Sequence, residues 1–234
     1  METILKNLAN KINIELSEEQ ISKFFKYMDL LIETNKHINL TSITKDNEII
    51  LKHFIDSLTI NKYISNKKCM IDVGTGAGFP GIPIKIIRDD IKVTLLDSLN
   101  KRINFLNTVI NELDLKNIET IHGRAEDISH INEYREKFDY VTARAVANLA
   151  TLSELCIPFL KIGGKFICMK ANIDNELELA QKAIKILGGK IVYIDKFYLP
   201  ESDIERNIII IKKMNSTNIK YPRKAGVPSK NPIA

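Results

Sequence analysis

The stretch Cys69-Met70-Ile71-Asp72-Val73-Gly74-Thr75-Gly76-Ala77-Gly78-Phe79-Pro80-Gly81 decides how this chain folds. A short apolar run that ends in an aspartate and is followed by glycines at every second position reads as a buried strand. It feeds a tight loop whose backbone must approach a ligand closely. Gly76-Ala-Gly78-Phe-Pro-Gly81 satisfies the dinucleotide spacing G-x-G-x-x-G, yet a second kind of nucleoside cofactor fits the loop as well. The rest of the chain has to decide between them.

Downstream of the loop the pattern alternates. Apolar, β-branched runs at 69–73, 92–97, 118–122, 138–143 and 164–169 are separated by amphipathic helix patterns near 79–88, 99–113, 146–160 and 174–187. Repeated strand–helix–strand units give a parallel sheet with helices on both faces. Two more strands, near 190–198 and 206–213, are joined by a loop containing Pro200 that is too short for a helical crossover, so they must pair antiparallel. The expectation is an α/β fold of Rossmann-like type, a mostly parallel seven-stranded sheet whose last strand is antiparallel. Upstream, residues 1–64 read as a helical extension packing on this core. Ser17-Glu-Glu-Gln20 is a capping box, and Ile21, Phe24, Phe25, Met28, Leu31 and Ile32 form one apolar stripe after it. A further helix carries Ile49, Ile50, His53, Phe54, Ser57 and Leu58 on one side, with His53 and Asp56 a turn apart. Such a histidine is more often a partly buried, satisfied side chain than half of an acid–base pair.

Composition sets outer bounds. The chain has 234 residues, 44% apolar and 27% charged, with a net charge of +5. These are the values of a soluble globular protein with one full core at residues 65–213 and no disorder class. Nowhere do eighteen apolar residues run together and the first twenty are broken by charge, so a cytoplasmic protein without membrane span or signal peptide is expected. Cys69, Cys156 and Cys168 lack metal spacing and read as reduced thiols. The segment 214–234 has no acidic residue but holds Lys220, Arg223, Lys224 and Lys230. Such a basic tail suits phosphate contact, although a solvated tail explains the charge equally well.

Ligands of open α/β sheets bind at the carboxyl ends of the strands. Those positions hold Asp72 and the glycines Gly74, Gly76 and Gly78, then Asp97, then Gly123-Arg124-Ala125-Glu126-Asp127, then Arg144. Asp97, some twenty residues beyond the loop, can accept from a ribose diol in either cofactor. Charge separates the two. A pyrophosphate is met by helix amides with no carboxylate nearby. Asp72 in front of the glycines would oppose a pyrophosphate but could hold an ammonium group, directly or through water, and Glu126 suits an adenine amino group. S-adenosylmethionine, with an ammonium, a sulfonium and no phosphate, is favoured over a nicotinamide dinucleotide and a hydride-transfer reaction.

With these residues in view the chain resembles the bacterial small-subunit ribosomal RNA guanine-N7 methyltransferases, the glucose-inhibited division protein B family. The marks are Asn39-Leu-Thr41, His53-Phe-Ile-Asp-Ser-Leu58, Asp72-Val-Gly-Thr-Gly-Ala-Gly-Phe-Pro-Gly-Ile-Pro83, Leu96-Asp-Ser-Leu-Asn-Lys-Arg102, Gly123-Arg-Ala-Glu126, Thr142-Ala-Arg-Ala145 and Tyr221-Pro-Arg-Lys-Ala-Gly-Val-Pro228. The resemblance covers nearly the whole chain. It implies a class I S-adenosylmethionine-dependent fold, 16S ribosomal RNA or the small subunit as partner, and a cofactor pocket lined by Gly74, Phe79, Ala125, Glu126 and Arg144. A monomer is expected. Guanine N7 carries a lone pair and no proton, so the implied chemistry needs alignment rather than a general base. Arg144 would organise the pocket and meet substrate from the side. Arg223 and Lys224 would bind phosphates or guanine O6, and Arg102 could do the same. Lys170-Ala171 departs from the Lys-Gly common in the family after the fifth strand. A third reading, of another class, is a ribosome-binding module without turnover.

Overall fold

The computed structural model describes residues 1–144, 147–173 and 176–233. Ala145 and Val146, where the expected helix 146–160 begins, and Asp174 and Asn175 at the start of the expected helix 174–187, lie outside the described residues.

The seven strands are β1 (Cys69–Val73), β2 (Lys92–Asp97), β3 (Ile118–His122), β4 (Phe138–Arg144), β5 (Leu160–Lys170), β6 (Gly189–Tyr198) and β7 (Glu205–Lys213), in the spatial order β3-β2-β1-β4-β5-β7-β6. The pairs from β3 through β5 are parallel. β7 inserts between β5 and β6 and runs antiparallel to both, so among the described residues it is the only reversed strand. The α/β fold is the one the alternating pattern predicts. β5 is longer than its apolar run because Gly163 and Gly164 are accommodated at a register shift against Phe138 and Tyr140.

Period-two alternation divides the core between the two faces of the sheet. Met70, Leu95, Tyr140, Ile167, Ile208 and Ile210 point to one side, and Ile71, Leu96, Val141, Cys168, Ile209 and Ile211 to the other. The second face is covered by α7 (Ala125–Ile128), α8 (Leu149–Cys156) and α9 (Glu176–Ile186).

The first face is covered by α5 (Gly81–Ile87) and α6 (Asn100–Glu112) together with the amino-terminal helices. These are α1 (Glu2–Lys11), α2 (Glu18–Asn35), α3 (Asp46–Ile49) and α4 (Asp56–Leu58), the last two joined through a π-helical segment Ile50–Ile55. The Ser17 capping box starts α2 as expected, with both reciprocal bonds formed. Its stripe is fixed by Phe24 and Tyr27 against Phe54, with centroids 4.9 and 5.6 Å apart.

Residues 214–233 are not a solvated tail. Arg135 donates to the carbonyls of Thr217, Asn218 and Tyr221, and Thr151 Oγ1 donates to Pro228 O, so the segment is laced onto α8, with a short helix α10 (Val227–Lys230) near its end.

Candidate cofactor and acceptor site

The loop after β1 closes on itself. Asp72 is completely buried. Its Oδ2 accepts from Thr75 Oγ1 at 2.7 Å and Gly81 N at 3.0 Å, and its Oδ1 accepts from Thr142 Oγ1 at 3.0 Å. Burial lifts its carboxyl to about 6, against the pull of those three donors. Position 81 must be glycine for this contact, because a Cβ there would lie 2.3 Å from Leu95 Cδ2 and 3.0 Å from the same Asp72 oxygen. Asp72 thus sits behind the loop as its internal anchor, outside the cavity lining, with three of its acceptor sites taken by the protein.

The anchor still decides between cofactors, by another route. The amides of Gly74 and Thr75 donate to Leu96 O, those of Gly78 and Phe79 to Thr75 O, that of Ile82 to Gly78 O, that of Gly76 to Asp97, and that of Gly81 to Asp72. A pyrophosphate needs a fan of free amides at this turn. Here seven of them already have partners within the protein.

Asp97, at the end of β2, accepts from Gly76 N at 2.9 Å, Leu99 N at 2.9 Å and Arg102 Nη1 at 3.2 Å. One acceptor site remains on this carboxylate, which lines the cavity. Arg102 Nε is buried with no protein partner, a donor left for whatever occupies the cavity. A carboxylate with spare acceptor capacity next to an orphaned donor, and no amide fan for phosphate, fits the adenosine and amino-acid parts of S-adenosylmethionine.

At the end of β4 the guanidinium of Arg144 gathers three acceptors from one amino-terminal helix. Nη1 donates to Lys52 O at 3.0 Å and Asp56 Oδ2 at 3.4 Å, and Nη2 to His53 Nδ1 at 3.1 Å. The π-helical segment makes this possible. The Asp56 amide bonds back to Leu51 O rather than to Lys52 O four residues earlier, which frees the Lys52 carbonyl for Arg144. On the far side Asp56 Oδ1 accepts from Arg206 Nε at 3.1 Å. Burial pushes the Asp56 carboxyl upward while Arg144 and Arg206 pull it back. His53 stacks on Phe79 with centroids 4.4 Å apart, and Arg144 lies 5.0 Å over the same ring.

Burial and the adjacent Arg144 cation lower His53 to about 3. Its folded value is depressed from 6.5, so below that pH the unfolded chain takes up a proton that the folded chain refuses. Stability from this group is thus lost as pH falls from about 6.5 toward about 3, by about 2 kcal/mol between pH 7 and pH 5. Asp72, raised to about 6, works in the opposite sense over part of the same window. Urea unfolding of the protein and of His53→Gln at the two pH values should show the variant losing about 2 kcal/mol less on acidification; equal losses would place the histidine in solvent.

Two cavities meet at this cluster. The larger, 420 Å³, is lined by Gly74–Ala77 backbone and by Thr41, Phe79, Asp97 and Arg102. The smaller, 240 Å³, is lined by Lys52, Asp56, Lys170 and Arg206. His53 and Arg144 line both and form the partition. Of the residues expected around the cofactor, Gly74, Gly76, Phe79, Asp97 and Arg144 converge on the larger cavity. Gly78 does not line it; its φ of +103° turns the chain beneath Tyr27, whose hydroxyl holds the Ala77 carbonyl. Ala125 and Glu126 lie at the start of α7, outside the lining, and Glu126 Oε1 accepts from Gly226 N at 3.0 Å.

Arg223, expected to grip phosphate, is turned inward. Its Nε and Nη2 donate to Glu154 at 2.9 and 2.7 Å, and its backbone N to the same carboxylate at 2.8 Å. Glu154 is completely buried, so the arginine is held where its charge is compensated. Lys224 is exposed. Lys170 donates to Ala147 O and pairs with Glu176.

Thr41 and Leu40 were not singled out as pocket residues from sequence, because a Leu-Thr pair between helices looks like a cap. The available signal was the pairing of Asn39-Leu-Thr41 with a histidine twelve residues later.

The family model described as GidB, rRNA small subunit methyltransferase G, matches residues 20–208. Ribosomal RNA small subunit methyltransferase G of Acetivibrio thermocellus is 57% identical over 226 residues, covering 96% of this chain and 93% of that protein. The protein of the same name from Desulforamulus reducens is 54% identical over 98% of this chain and 97% of its own length. Among solved structures, a SAM dependent methyltransferase from Aquifex aeolicus has a TM-score of 0.56 at 14% identity, covering 78% of this chain and 98% of that one. M. jannaschii TYW2 in complex with AdoMet has a TM-score of 0.55 at 16% identity, covering 73% of this chain and 77% of that one. At such identities the likeness is one of fold.

Proposed function

The chain belongs to the GidB family of rRNA small subunit methyltransferases, and from that premise we propose that it methylates N7 of one guanine in 16S ribosomal RNA, using S-adenosylmethionine. The observation that carries the reading is the pair of cavities sharing Arg144 and His53: a glycine-lined one without a fan of free amides for a pyrophosphate, and a smaller one ringed by Lys52, Lys170 and Arg206. S-adenosylmethionine, when bound, supplies a methyl group on a sulfonium. The larger cavity takes that cofactor, with Asp97 at the ribose, Gly74, Gly76 and Phe79 along its length, and Ala125 and Glu126 toward the adenine. Arg144 separates it from the base, which enters the smaller cavity.

Nothing at the partition has to remove a proton. N7 is already a lone pair, and His53 is occupied at Nδ1 by a group that can only donate. What the residues supply is alignment, through a guanidinium tied to three acceptors. Lys224 is assigned to phosphate contact, whereas Arg223 supports Lys224 through its bond to Glu154 and Arg102 faces the cofactor cavity. The site is completed within one chain, which supports a monomer, and the substrate implies the cytoplasm. A nicotinamide oxidoreductase is disfavoured by the occupied amides.

The test is direct. Small-subunit RNA from cells lacking the protein should miss one 7-methylguanosine by mass spectrometry, and the purified protein with S-adenosylmethionine should restore it. RNA with its methyl groups intact, and no transfer in vitro, would leave a binding module without turnover.

A further inference from the structure

Thr41 is a polar side chain of the larger cavity whose hydrogen-bonding role is dictated from outside itself. Arg144 can only donate, so His53 Nδ1 accepts, and the ring proton lies on Nε2. Nε2 then donates to Thr41 Oγ1 at 2.8 Å. The amide of Ile43 donates to the same oxygen at 3.1 Å. Both lone pairs of the hydroxyl are thereby taken, and its O–H can act only as a donor. No acceptor among the described residues takes that proton, and Thr41 lines the 420 Å³ cavity.

The layout of the cavity says what the proton meets. At the carboxyl ends of the strands the order β3-β2-β1-β4 runs across the site. Asp97 on β2 marks the ribose, so the adenine lies toward β3 and the amino-acid end toward β4, where Arg144, His53 and Thr41 stand. The strongest acceptor at that end of the cofactor is its carboxylate. Seven of the amides at this turn that would otherwise serve a carboxylate are bonded within the protein, that of Ala77 not among them.

Resting on the reading of this cavity as the S-adenosylmethionine pocket, we propose that Thr41 is a cofactor-binding residue whose O–H, aimed by the Arg144–His53 relay, donates to the methionine carboxylate. The relay explains why a histidine sits at a methyl-transfer site that needs no base: it fixes the direction of a hydroxyl.

Calorimetry with two ligands tests this. Thr41→Val keeps the shape and removes the donor. It should weaken S-adenosylmethionine by about ten- to a hundredfold, the range of a hydrogen bond to a charged group. Decarboxylated S-adenosylmethionine should change by less than about twofold, and Thr41→Ser should restore the first ligand to within about threefold. Equal loss on both ligands would make Thr41 a shaping residue, and no loss on either would send its proton elsewhere; each outcome overturns the proposal. If the unaltered protein bound neither ligand, the pocket reading itself would fail, a result distinct from those two.

Discussion

Arg223→Ala is expected to lower the unfolding free energy by about 3–5 kcal/mol, because it strips a completely buried carboxylate of its two side-chain donors. Glu154 would keep only the backbone amide of residue 223. The same logic predicts that replacing both partners together, Glu154→Leu with Arg223→Leu, recovers most of the loss, since a buried pair is costly mainly when it is broken. Arg223→Lys should sit between, its point charge unable to reproduce the two-pronged contact. Urea unfolding of the three variants measures the series. A loss under about 1 kcal/mol for Arg223→Ala would return the arginine to the surface role its setting in a basic segment suggests.

The largest effect on turnover is expected at Arg144. Arg144→Met retains length and apolar bulk against Phe79 but removes every bond to Lys52, His53 and Asp56. Asp56 keeps Arg206, so the fold should survive, and near-native thermal unfolding would serve as the control. The wall common to both cavities loses its charged, hydrogen-bonded half. Misplacement by about an ångström costs on the order of a hundredfold, so kcat/KM for methyl transfer to small-subunit RNA should fall by about a hundred- to a thousandfold. Retention of activity within about fivefold would mean that the partition is scaffolding alone.

Much of this was legible in the sequence for a physical reason. The alternation at residues 208–211 is four isoleucines serving two faces, and the glycine loop after a buried strand has few other readings. Local chemistry announces such features. What the sequence did not announce were contacts made across the fold. Asp72 reads as a ligand carboxylate because its position in the motif is right, and only the approach of Gly81 and Thr142 shows that it also anchors the loop. Arg223 reads as free because Glu154 lies far from it in the chain. His53 and Asp56 read as a possible dyad on one helix, whereas their partner is an arginine from a strand some ninety residues away.

The π-helical segment Ile50–Ile55 carries a consequence for how this chain tolerates insertions and deletions. A π turn is an α-helix holding one residue more than its length requires. Removing one residue between His53 and Asp56 would restore α-helical spacing locally, returning the Lys52 carbonyl to an amide of its own helix. The same deletion would withdraw an acceptor from Arg144 and rotate His53 relative to Asp56 by about a third of a turn. A change that stabilises the element would thus dismantle the partition, so within this helix the number of residues is constrained as tightly as their identity.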